Sequence, residues 1–128
     1  MSAPEDVIRA YVEATSAADG DAAAALTADD AVIELPDGTA LNGKEGARQF
    51  AAKHAETDGK KQSATLTSLE ARTQDRFVAT LELTNREVAT DELLYSMDVG
   101  GVFEVREGLI VRNQAFPSPD EAAAAAAD

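Results

Sequence analysis

A few side chains in this 128-residue sequence have the chemistry to move a proton or hold a polar ligand. Glu34 lies inside DDAVIELPDG, residues 29–38, where a carboxylate among apolar residues can act as a general acid or base. The same segment can also be no more than a strand and a turn. His54 is the sole histidine, and imidazole ionises closest to neutrality. Its alternative role is a partly exposed residue near a helix C-terminus, where its cation is favourable. The Tyr11 phenol can donate to a ligand or can sit in the core with its hydroxyl partnered. Asn113 is an amide on an otherwise apolar strand face, and a buried amide needs partners. Other chemistries are excluded. With no cysteine there is no disulfide, thiolate nucleophile or cysteine-bound metal, and one histidine rules out a multi-histidine metal site. No metal and no cofactor are expected.

These residues need elements to position them. Residues 2–19 read as a helix, with Ser2 and Glu5 spaced as a capping box and Pro4 in the first turn. Val7, Tyr11, Ala14 and Ala18 fall along one face. Asp19-Gly20 breaks the helix, and DAAAALTADD reads as a second, short one with Leu26 as its large anchor. AVIEL is a strand, Pro36-Asp37-Gly38 a turn, TAL a return strand and Asn42-Gly43 a further break. KEGARQFAAKHAE is a third helix, presenting Ala47, Phe50, Ala51 and His54 on one side.

From residue 59 onward the pattern alternates. QSATLTSLEA, RFVATLELTNREV, LLYSMDVGGVFEVRE and LIVRNQAF are rich in β-branched, apolar and aromatic residues and are joined by polar turns. Helices first and a strand meander after them predict an α+β fold. Alternation puts Phe77, Ala79, Leu81 and Leu83 on one face, then Tyr95, Met97, Val99, Gly101, Phe103 and Val105, then Val111, Asn113 and Ala115. Small residues on these faces fit either close helix packing or a concavity that a ligand fills. Gly100-Gly101 reads as a bend or bulge. The tail PSPDEAAAAAAD is low-complexity; Ser118 and Glu121 are placed to cap a short helix, but fraying is expected of residues 118–128.

The formal net charge is −13, which disfavours nucleic acid and anionic membranes as partners. MSAPEDVIRAYVEA has no positively charged leader followed by an apolar core, and no run reaches a membrane span. A cytoplasmic location is expected.

The stretches VIRAYVEATSAADGDAAAALTADDAVIELPDG, LNGKEGARQF and GGVFEVREGLIVRNQAF cover most of residues 5–117. On these the chain resembles the NTF2-like superfamily, in particular its SnoaL-like and ketosteroid-isomerase-like branch. The resemblance implies one domain over residues 1–117. It also implies a cone-shaped fold in which a curved antiparallel sheet wraps three N-terminal helices around a pocket, and a homodimer formed through the outer sheet face. In the isomerases the base is an Asp just before the Pro of the first strand, and here that position is Leu35. The pleat aims its neighbour Glu34 at the opposite face. Tyr11 matches the oxyanion-hole Tyr, but the Asp paired with it falls on Gly101. TNREV resembles the epoxide-hydrolase arrangement through Arg86, yet its Asp positions hold Val88 and, near the last strand, Ala115. Cyclases of the branch use an Asp base where NQAF supplies Asn113 and Gln114, neither of them a base at neutral pH.

The reading is therefore a pocket protein of undetermined activity that binds a small, largely apolar molecule. Its expected lining is Tyr11, Leu35, Phe50, Leu81, Met97, Gly101, Phe103, Asn113 and Ala115. Two alternatives remain. One is an isomerase-, cyclase- or hydrolase-type enzyme with rearranged acid–base groups, for which His54 and Glu34 are the candidates. The other is a dimerising scaffold whose cone is filled.

Overall fold

A computed structural model describes residues 3–127. Pro4 opens helix α1 (Pro4–Ser16), where its missing N–H costs nothing, and Glu5 and Asp6 complement the positive end of the helix. Ala3 is the N-cap and makes no side-chain cap bond; Ser2, expected to supply one, lies outside the described residues. The helix ends before residue 19. The Asp19 N–H reaches back to the Ala14 carbonyl at 2.9 Å, and the Ala18 N–H to Thr15 at 3.0 Å. Ala18 stands at φ 59°, in the left-handed conformation that closes many helices.

Helix α2 (Gly20–Ala25) is shorter than the sequence pattern suggests, because TADD belongs to strand β1 (Thr27–Glu34). Side chains terminate the helix. The Thr27 hydroxyl donates to the Ala23 carbonyl at 2.8 Å, and Lys44 Nζ donates to the carbonyls of Ala24 and Thr27 at 3.0 and 2.6 Å. These bonds satisfy oxygens that a helix end leaves free. A turn over Pro36–Gly38, in which Asp37 accepts from the Thr39 N–H at 2.9 Å, leads to β2 (Ala40–Asn42). Helix α3 (Gly43–Ala52) follows directly.

The remaining strands form the expected meander: β3 (Lys60–Ala71), β4 (Arg76–Glu87), β5 (Leu93–Arg106) and β6 (Leu109–Phe116). The six-stranded sheet has the order β2-β1-β6-β5-β4-β3. Its pairs are antiparallel except one: β1 and β6 run parallel, so the expected all-antiparallel sheet is corrected there. The chain crosses from β2 through α3 to the far edge and meanders back, and a parallel pair requires a crossover of that kind.

The first three helices pack against one face. Val7, Ile8 and Tyr11 of α1 and Ala47 and Ala51 of α3 meet Phe77, Ala79, Phe103, Ile110 and Ile33 from the sheet. On that face Ala79 pairs with Gly101 and Gly101 with Ala115, a row of small residues across three strands. The next row is Phe77, Phe103, Asn113 and Ile33.

The tail is not frayed over its helical part. Ser118 caps α4 (Pro119–Ala126) by accepting from the Glu121 N–H at 3.2 Å. Ala122 and Ala126 are buried against Val78 and Val102 on the outer sheet face. Tertiary packing supplies what so short a helix lacks in isolation. The Gly100-Gly101 pair is no bulge either, since both residues keep continuous register with β4 and β6. A Cβ on Gly100 would stand 2.6 Å from Ala122 Cβ and 2.8 Å from the Ser118 carbonyl, so Gly100 is what lets α4 lie close. Gly101 faces inward.

Strand β6 pairs with β5 only over Gly100–Arg106. The first half of β5 therefore has β4 on one side alone, and Leu93, Leu94, Tyr95 and Met97 are exposed there. No helix among the described residues is long and apolar enough to cross a membrane.

Candidate functional site

Between the helices and the inner sheet face lies a cavity of about 350 Å³. The row of small residues makes room for it: at Gly101 and Ala115 no bulky side chain rises from the sheet floor. All nine residues named from the sequence as lining contribute to its wall. Tyr11 comes from α1 and Phe50 from α3. Leu81 lies on β4. Met97, Gly101 and Phe103 come from β5, and Asn113 and Ala115 from β6. Leu35 enters just past the end of β1.

The deepest polar feature joins the first helix to the last strand. Asn113 Nδ2 donates to the Tyr11 hydroxyl at 2.9 Å, with both residues almost fully buried. Burial pushes the Tyr11 phenol up from its ordinary pKa, and the hydrogen bond from Asn113 opposes this only in part. The phenol thus stays protonated at neutral pH and keeps its own hydrogen to donate. It can polarise a carbonyl or hold a hydroxyl, but it is no base.

A ladder of rings runs along one wall. Tyr11 meets Phe103 edge-on with centroids 6.0 Å apart and lies near-parallel to Phe50 at 6.5 Å; Phe50 meets the His54 ring at 5.8 Å. His54 also lines the cavity, two ring contacts from Tyr11. It is 6% exposed, so the expected partly exposed histidine is corrected. The reason is local: α3 ends at Ala52, and a tight turn with the His54 N–H on the Ala51 carbonyl at 3.0 Å tucks the ring beneath Phe50. Burial lowers the His54 pKa; the Phe50 carbonyl opposes the shift and the nearby Lys61 cation adds to it. Nδ1 is buried with no hydrogen-bond partner among the described residues. The imidazole is neutral at pH 7.

Glu34 takes no place in the cavity. Its carboxylate accepts from Gln114 Nε2 at 3.0 Å and borders a groove on the outer face with Asp30, Glu104 and Arg112. The pleat thus separates Leu35, inward, from Glu34, outward. Arg86 reaches the Asp91 carbonyl at 3.1 Å in the β4–β5 turn, and Val88 is exposed. Among the described residues, no Asp or Glu lines the cavity. Proton abstraction by a carboxylate therefore has no base here.

The sequence reading missed several lining residues. Leu83 and Val99 carried the same inward signal as Leu81 and Met97 and could have been named from it. Lys53 and Gln62 reach the cavity from the end of α3 and the start of β3, and nothing in their spacing marked them.

Residues 8–113 match the SnoaL-like domain family. No curated protein matches the sequence. Among solved structures, an uncharacterised cystatin-fold protein of Novosphingobium aromaticivorans is 20% identical, with 91% of this chain and 99% of that one covered at a TM-score of 0.70. A Mycobacterium tuberculosis protein in complex with estradiol-17β-hemisuccinate is 21% identical, with 91% and 94% covered and a TM-score of 0.69. An LEH-like epoxide hydrolase of M. tuberculosis is 16% identical, with 90% and 78% covered and a TM-score of 0.69. At these identities the likeness is one of fold. With the helices and curved sheet described above, the match over residues 8–113 makes this chain a member of the SnoaL-like domain family, built on the NTF2-like, ketosteroid-isomerase-like fold.

Proposed function

We propose that the cavity binds a small, largely apolar molecule, held by a hydrogen bond at Tyr11 and Asn113. One observation carries this reading: an open, mostly apolar cavity whose buried polar pair can bind but has no carboxylate beside it to take a proton. Its volume falls in the range of ordinary small-molecule sites, roughly 300–1,000 Å³, and an open cavity argues against a filled scaffold. The steroid ester held by the mycobacterial neighbour is consistent with a ligand of this kind. A homodimer through the outer sheet face would use the part that α4 leaves open, around Val32, Arg112 and Gln114.

Native mass spectrometry of gently purified protein, followed by thermal-shift titration with apolar ring compounds, tests the reading. A retained small molecule or a saturable rise in Tm is expected, because a ligand that binds only the folded state stabilises it. Tyr11→Phe should weaken that binding about tenfold, while stability falls by less than the equivalent of about 1.4 kcal/mol, since water in the cavity can take over the Asn113 amide. Equal losses of binding and stability would leave Tyr11 a packing residue.

A second reading rests on His54. A neutral imidazole on the cavity wall can serve as a general base. Turnover of a bound ketone or epoxide that His54→Gln abolishes, with binding retained, would establish an enzyme.

A further inference from the structure

The polar groups on the cavity wall are not balanced. They are Tyr11, Thr15, Asn113, Gln62, His54 and Lys53. Every one of them can donate a hydrogen bond, and none is acceptor-only. The Thr15 hydroxyl is already committed to the Val12 carbonyl at 3.1 Å. The others divide by position. Tyr11 and Asn113 form the neutral, deeply buried end. At the other end of the ring ladder His54 is buried beside the exposed Lys53.

Behind His54 stands a second cation. Lys61 Nζ donates to the carbonyls of His54 and Ser16 at 2.9 and 3.0 Å, which holds its charge close to His54. Lys53 lies close enough to Asp37, on the β1–β2 turn, for its charge to favour the ionised carboxylate there. That group is fully exposed, is occupied by the Thr39 N–H and does not line the cavity. In a chain of net charge −13, none of the described carboxylates lines this concave wall, and Lys53 stands at one end of it with Lys61 behind His54. An ammonium on a wall that no described carboxylate lines is what an anionic ligand group would select.

We propose that the molecule this cavity takes is an amphipathic monoanion: an apolar ring body lying along Phe50, Leu81 and Phe103, with one carboxylate at the His54–Lys53 end. The inference rests on the binding function proposed above and adds the ligand's charge. Geometry supports the placement. The carboxylate would sit toward the mouth, where it keeps part of its hydration and avoids the full cost of burying a charge. It would accept from the Lys53 ammonium and from an imidazole N–H, bonds strengthened by charge. The neutral polar atoms of the ligand would remain for Tyr11 and Asn113.

The test compares 2-naphthylacetate with its methyl ester by isothermal titration calorimetry at low and moderate salt. The two probes share an apolar body and differ in charge. The net charge of the protein alone would favour the ester. The inference requires the acid to bind about tenfold tighter, with a preference that salt weakens. Lys53→Met should bring the ratio of acid to ester affinity down to about one or below; Lys53 is exposed, so the variant should fold normally. Equal or tighter binding of the ester, or a preference that survives Lys53→Met, would overturn the anionic ligand and leave the apolar pocket standing. Binding of neither probe would count against the pocket reading, and this inference would fall with it.

Discussion

At the scale of single residues, the site turns on which way each side chain points. Glu34 and Leu35 are neighbours in sequence, yet one borders the outer groove and the other the cavity. That separation was legible beforehand, because a strand alternates sides. The burial of His54 was legible only in part: period puts it on the face of Ala47, Phe50 and Ala51, but α3 ends at Ala52 and a turn carries the ring inward. It has a consequence in pH. The folded-state pKa of His54 lies below its ordinary value of 6.5. Between the two values the unfolded chain binds a proton that the folded chain refuses, so stability rises with pH there. The contribution is complete above the unfolded value and is lost as pH falls toward the folded one. Urea denaturation at about pH 7.5 and about pH 5.5 should show wild type losing more stability than His54→Gln across that interval. The shared carboxylates contribute equally to both proteins, so identical losses would contradict the depressed value.

At the scale of elements, the meander and the three early helices follow from hydrophobic period and turn residues. Two boundaries did not. TADD left the helix for the strand because Lys44, from a distant segment, and Thr27 satisfy the carbonyls where α2 ends. The alanine tail became a helix because Val78 and Val102, far away in sequence, offer a surface for it. Propensity arguments see neither partner. The glycine pair fits a bend or bulge by its pattern, but the ladder is unbroken there, and Gly100 reflects the close approach of α4. Gly100→Ala should cost about 1–3 kcal/mol through overpacking against Ala122 and Ser118. Deleting residues 118–128 should nearly abolish that additional cost. Chemical denaturation of the four proteins gives the cycle; an undiminished penalty in the truncated chain would mean that α4 is not what Gly100 accommodates.

At the scale of the whole molecule, charge and topology dominate. A net charge of −13 on 128 residues works against the compact state. Arg48 pairs with Asp21 at 3.2 Å and with Glu45 at 3.5 Å on the open surface, and exposed pairs contribute little. Screening should therefore remove more repulsion than attraction. Raising sodium chloride from about 10 mM to about 1 M shortens the Debye length from about 30 Å to about 3 Å. Tm measured by calorimetry should climb over that range and then level; a flat or falling Tm would show that local pairs outweigh the collective field. The topology carries a different consequence. Among the described residues, the strand neighbours of β1 are β2 and β6. Until residues 109–116 have left the ribosome, β1 and β2 have no further strand to join, although α1 can already pack on β4 and β5. Joining β1 to β6 is then a late step that closes most of the chain into a single loop, and the loss of chain freedom sets its pace. Synthesis from the amino end leaves the first two strands waiting, and the sheet becomes continuous only once β6 has emerged.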